Sequence, residues 1–249
     1  CLDDLLAKFP HFEDAWLRDK QPEVWVPKTF SGKPFNIFET GGTTGMPKQR
    51  IGWDDYKIDY EDFSDRHGDD VFPHGADWLM VGPTGPRRLR LAVEHLANYR
   101  GGVCYFVDLD PRWVRKMLTQ GKHEIARQYQ EHVIEQAVTI LKNRKVQCLF
   151  ATPRLLEALS EHVSIPDVGI KGVFCGGTSM NPQNVRFLCE EVLEGTTTFV
   201  PTYGNTLMGL AAHKPLTPED NYSITYYAPQ PRAVLRLVNP NAVEQIVDY

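Results

Sequence analysis

Between Asp77 and Val200, short apolar runs alternate with amphipathic stretches, and this alternation limits the possible folds more than anything else in the chain. The run WLMVG at 78–82 reads as a buried strand, 87–99 as a helix, and GVCYFVDL at 102–109 as the next strand. Asp110 followed by Pro111 has the form of an N-cap with proline at the first helical position. Over 121–143, the residues Ile125, Tyr129, Val133, Ile134, Ala137, Val138 and Leu141 make the stripe of one long amphipathic helix. Then come a strand VQCLFA, a helix opened by Thr152 and Pro153, a strand KGVFC with a Gly-Gly turn, a helix opened by Asn181 and Pro182, and a strand TTTFV. Strands and helices in turn, joined by short loops, predict parallel βαβ units with helices on both faces of one sheet.

The flanks read differently. Leu2, Leu5, Leu6 and Phe9 have helical spacing, and PEVWVP at 22–27 reads as a short extended piece. The acidic stretch 54–70 suits a solvated helix with Tyr56, Tyr60 and Phe63 facing inward. After Pro215, SITYY and RAVLRLV alternate with period two, which predicts antiparallel strands. The expected fold class is therefore α/β: a mostly parallel sheet with helices on both faces, plus a small antiparallel β subdomain at the C-terminal end. The division is expected at 1–213 and 214–249.

With 249 residues, 42% of them hydrophobic, the chain can bury a core as one large domain or two small ones. A net charge of −5 without a Lys/Arg stripe argues against nucleic acid as the main partner, while leaving room for a local cationic pocket. No apolar run approaches the roughly 20 residues that span a bilayer. Five scattered cysteines and eight histidines form no disulfide framework or metal-ligand spacing, so no metal site is assigned and a cytoplasmic location is expected. The chain opens on Cys1 and closes in a mixed run from Val243 to Tyr249, which suggests a piece cut from a longer protein.

Chemistry concentrates first in ETGGTTGMPK, 39–48. Gly41, Gly42 and Gly45 allow backbone N–H groups to turn onto an anion, Thr40, Thr43 and Thr44 add hydroxyl donors, and Lys48 adds a charge. A Walker loop is excluded, because Met46 and Pro47 separate Gly45 from Lys48. Proline biases Met46 towards an extended conformation, so the loop joins two strands, over 36–40 and 49–53. Two more loops follow parallel strands at the ends where such sheets bind ligands. One is Gly176, Gly177, Thr178 and Ser179; the other is Thr202, Tyr203, Gly204, Asn205 and Thr206, which offers an aromatic face and two hydroxyls.

Together these loops resemble those of the adenylate-forming superfamily, which comprises acyl- and aryl-CoA ligases, peptide-synthetase adenylation domains and luciferases. The superfamily pattern Thr/Ser-Gly-Gly/Ser-Thr-Thr-Gly-x-Pro-Lys is met without a gap from Thr40 to Lys48, and a Gly-rich loop and a Tyr-Gly-x-Thr loop follow in the same order. The resemblance implies binding of ATP, with AMP as product. Lys48 would act on the pyrophosphate, Tyr203 would stack on adenine, Gly176 to Thr178 would cover its other face, and Thr206 would donate to the α-phosphate. A looser likeness of 81–109 to phenylacetate–CoA ligases and the adenylating proteins of phenazine-antibiotic pathways implies an aromatic carboxylic acid near Thr84, Gly85, Arg87 and Gly176. Arg87 and Arg88 either face its carboxylate or stand exposed at a helix start. The acceptor in a second step would be CoA or an amine. A ribose-binding aspartate and a mobile domain with a catalytic lysine are expected beyond the point where the chain stops.

One position departs from the pattern: Leu207 stands where the superfamily has a Mg²⁺-coordinating glutamate. Leucine cannot ligate a hard cation, so a nucleotide- or acyl-adenylate-binding homologue with weak or no turnover is the alternative. A serine hydrolase built on Ser179 fails its motif, since Asn181 occupies the last glycine position.

Overall fold

The structure is a computed structural model and describes residue 8 and residues 15–39, 47–85, 88–205, 209–227, 238–239 and 241–246. The apolar runs form β3 (Asp77–Gly82), β4 (Cys104–Asp108), β5 (Val146–Ala151), β6 (Gly172–Cys175) and β7 (Thr198–Pro201). They make one parallel sheet in the order β4-β3-β5-β6-β7. Side chains alternate across it. Met80, Phe150, Phe174 and Val200 stand in register on one face, while Leu79, Leu149, Val173 and Phe199 stand on the other. Because both faces are buried, the strands read as continuous apolar runs.

Connection direction sorts the helices. The chain steps one way from β3 to β4, then back past β3 to β5, and right-handed crossovers in opposite directions put their helices on opposite faces. Helices α1 (Tyr56–His67) and α2 (Arg88–Tyr99) cover the Phe150 face. The other face is covered by α4 (His123–Asn143), α5 (Pro153–Ser160) and α6 (Pro182–Phe187), with α3 (Pro111–Thr119) packed on α4. Tyr56, Tyr60 and Phe63 are buried, as the acidic helix required. Asp110 caps α3, accepting from the Arg112 amide at 2.9 Å, and Asn181 caps α6, accepting from the Asn184 amide at 2.8 Å.

Two local expectations fail. Ile125 is 46% exposed, and the buried stripe of α4 starts at Ala126 instead, because the helix begins only at His123 and its first turn faces solvent. Pro22–Trp25 is a 3-10 turn and not extended: proline already has a helical φ, and the Val26 amide closes the turn on Glu23.

The strands outside the parallel sheet are antiparallel. β1 (Asn36–Glu39) pairs with β2 (Gln49–Gly52), so the loop 40–48 does join two strands. β8 (Tyr203–Asn205), β9 (Gly209–His213) and β10 (Tyr226–Tyr227) form a three-stranded sheet that crosses residue 214. β11 (Val238–Asn239) pairs with β12 (Ala242–Ile246). The rest of RAVLRLV, like the stripe from Leu2 to Phe9, lies outside the described residues.

Candidate functional site

A parallel sheet gathers the residues that follow its strands along one edge, and here all five strands contribute to a single cavity of about 600 Å³. Pro83 follows β3, Leu109 and Pro111 follow β4, Thr152 follows β5, Gly176 and Gly177 follow β6, and Thr202 follows β7. The reversal of chain direction at β3 sends the segments after β3 and β5 to opposite faces, which opens a crevice between them. The hairpin β1–β2 adds Glu39 and Arg50, α1 adds Tyr60, and β8 and β9 add Gly204, Gly209 and Leu210.

Two kinds of surface line this cavity. Tyr60, Leu89, Phe150, Leu155, Phe174 and Leu210 are apolar or aromatic, while Arg50, Arg88 and Arg115 outnumber Glu39. With the Arg88 charge offset by Asp59, Arg50 and Arg115 still set two guanidinium groups against the Glu39 carboxylate, which suits a ligand that carries negative charge and an apolar body. Arg88 is anchored: its Nη2 donates to Asp59 Oδ2 at 3.3 Å, and its guanidinium lies 5.7 Å from the centre of the Tyr56 ring. Asp59 is buried against Gly209, whose φ of +93° and missing Cβ leave room for the carboxylate. Burial pushes the Tyr60 phenol up to about 12, so it stays a neutral wall residue.

The cavity brings together some of the residues singled out in the sequence. Gly176, Gly177, Thr202 and Gly204 line it. Gly176 is glycine for a reason nearer than any ligand, since Thr202 Oγ1 occupies the place of its Cβ while donating to the Cys175 carbonyl at 3.1 Å. Thr178 is exposed and outside the lining, and Tyr203, 53% exposed, sets its ring 5.7 Å from that of Tyr226. Asn205 ends β8. Thr84 and Gly85 also fall outside the lining; the Thr84 amide and hydroxyl donate to Asp108 Oδ1 at 2.7 and 2.8 Å. Lys48 is partly buried directly before β2. Thr40, Gly41, Gly42, Thr43, Thr44, Gly45, Arg87, Thr206 and Leu207 lie outside the described residues.

Sequence reasoning missed Arg50, Arg115 and Tyr60 as cavity residues. A cation two places beyond Lys48 was the available signal for Arg50; α3 and α1 reach the cavity only through packing, so Arg115 and Tyr60 had none.

A second cavity, of about 650 Å³, lies beyond β9 against α1 and β7 and shares Leu210 with the first. Its wall includes His67 and His213, whose rings stack at 5.5 Å. Burial lowers both, His67 to about 4. None of the sequence motifs reaches it. Among the described residues there is no group of three or more His, Cys, Asp and Glu side chains that could hold a metal ion, and no helix long and apolar enough to cross a membrane.

No family model and no curated protein matches the chain. Solved structures do. An open conformation of 2-hydroxyisobutyryl-CoA ligase in complex with 2-HIB-AMP and CoA is 16% identical with a TM-score of 0.55, over 82% of this chain and 44% of that one. A luciferase-like enzyme from the nonluminescent mealworm Zophobas morio is 18% identical with a TM-score of 0.50, over 85% and 44%. A mutant of the amide bond synthetase McbA from Marinactinospora thermotolerans is 14% identical with a TM-score of 0.50, over 83% and 36%. The fold is that of the adenylate-forming enzymes, as the loops implied, and at these identities the likeness is one of fold. The chain spans less than half the length of each of these structures.

Proposed function

We propose that the chain is the nucleotide- and acid-binding part of an ATP-dependent ligase that activates a carboxylic acid. A carboxylate oxygen attacks the α-phosphorus of ATP, the bond to the bridging oxygen breaks, and acyl-adenylate and pyrophosphate result. What carries the proposal is the cavity at the carboxyl ends of β3 to β7, where the flanks of the Thr40–Lys48 loop meet Gly176, Gly177, Thr202 and Gly204. In-line transfer of this kind depends on positioning and on neutralising developing charge. Lys48 and Thr206 supply charge and a donor for the phosphates, Arg50 adds a second cation on β2, and Tyr203 supplies an aromatic face for adenine. The aromatic lining around Phe150 and Phe174 supports an aromatic acid, with Arg88 anchored in the same wall. CoA or an amine would accept the acyl group in a second step. Residues 1–213 would supply the α/β part and 214–249 the start of a β subdomain, with β10 joining β9 across that division.

Magnesium would be held mainly by the ATP phosphates and water, since Leu207 offers no oxygen and magnesium takes only one or two carboxylates where it takes any. The same leucine favours the second reading, a nucleotide- or acyl-adenylate-binding homologue with weak or no turnover. Acid-dependent exchange of pyrophosphate into ATP, run with a panel of aromatic and aliphatic acids, separates the two. Exchange with aromatic acids supports the ligase; nucleotide binding without exchange supports the homologue. In the ligase, Lys48→Ala slows exchange and leaves binding of the free acid nearly unchanged.

A further inference from the structure

We propose that Arg112 is a positioning residue for the nucleotide: it holds Glu39, the residue immediately before the phosphate loop, and offsets part of a carboxylate charge that would otherwise face the phosphates. The proposal rests on the reading of Thr40–Lys48 as a phosphate loop. Glu39 ends β1 and lines the cavity. Its Oε1 accepts from Gln49 Nε2 at 3.0 Å, across the hairpin from which the loop springs. Its Oε2 accepts from Arg112 Nη1 at 3.0 Å, on α3 and 73 residues away in the chain. The first contact closes the root of the loop on itself; the second ties that root to the parallel sheet.

Arg112 is itself held. Its amide donates to Asp110 Oδ1 at 2.9 Å, its Nε lies 3.9 Å from the same oxygen, and the Asp110 amide donates to the Tyr129 hydroxyl at 3.1 Å. The neighbouring Leu109 amide donates to the Gly82 carbonyl at 3.1 Å, and Asp108 receives both donors of Thr84. Residues 108–110 thus join the segment after β3, the first turn of α3 and, through Arg112, the root of the phosphate loop.

The Glu39 side chain is 18% exposed and that of Arg112 39%. A pair this open to water contributes little to stability, so its larger consequence is electrostatic. Without its cation, the Glu39 carboxylate would repel a triphosphate on the adjoining loop more strongly, even with Gln49 still donating to it. Arg112, which also lies beside Asp110, offsets part of that charge where it faces the cavity.

The test is titration of the full chain with ATP and with AMP by calorimetry, beside thermal melting. Arg112→Ala weakens ATP binding about tenfold, and AMP binding by less, because the triphosphate carries more charge. Adding Glu39→Gln to Arg112→Ala restores most of the lost ATP affinity, an outcome that mere loss of structure would not give. Arg112→Lys keeps the charge and binds ATP within about twofold of the parent. If the parent binds ATP and Arg112→Ala binds it equally well, the positioning role is wrong and the phosphate-loop reading stands. If Glu39→Gln fails to restore affinity, the charge offset is wrong. A parent that binds neither ATP nor AMP overturns the phosphate-loop reading and this inference with it.

Discussion

Thr202 Oγ1 fills the space that a side chain on Gly176 would need, and it is held there by its bond to the Cys175 carbonyl. The two loops that would enclose an adenine are thereby packed on each other before any ligand arrives. Gly176→Ala is expected to destabilise the protein by about 1–3 kcal/mol through overpacking. Thr202→Ala in the same chain should recover much of that cost by vacating the space. Urea denaturation of the singles and the double checks this, and strictly additive losses would contradict it.

Arg88 and Asp59 form the most deeply buried ion pair among the described residues, with side chains 13% and 4% exposed. Removing one partner takes a buried opposite charge away from the other, so Arg88→Met or Asp59→Asn should each cost about 2–4 kcal/mol. Asparagine preserves the close approach to Gly209, which confines the change to charge. The double variant is expected to be more stable than the sum of the singles predicts, measured by a double-mutant cycle in urea.

Burial, then His213 and Arg66, lower His67 to about 4 from an ordinary 6.5. Between those values the unfolded chain binds a proton that the folded chain does not, so stability rises with pH across the window and falls on acidification. Its ring is partly open to solvent, and after screening the loss from pH 7 to pH 5 should be about 1–2 kcal/mol. His67→Gln should lose less over the same interval. Equal losses in parent and variant would show that other groups carry the dependence.

Tyr203 leans on Tyr226 with about half its surface free. If that free face takes adenine, Tyr203→Ala weakens AMP binding by about 1–3 kcal/mol and Tyr203→Phe leaves it almost unchanged. Unaltered AMP affinity in the alanine variant would remove stacking from the account.

The sequence by itself determined the parallel sheet, since runs such as WLMVG at 78–82 and CLFA at 148–151 are apolar at every position and can satisfy both faces only between helix layers. It also determined the caps at Asp110 and Asn181 and the strand–loop–strand form of 36–52, because each is set by residues a few places apart. Only the tertiary structure decided what meets across the chain. Arg112 reaches Glu39, Arg88 reaches Asp59, and Arg115 and Tyr60 share one cavity with Gly176 and Arg50, although, apart from Arg50 beyond Lys48, none has a neighbour in sequence that announces it. Local periodicity reports which face of an element is buried, but a charged side chain gains its partner only when two elements are packed. That packing follows from strand order and crossover handedness, which are properties of the whole sheet.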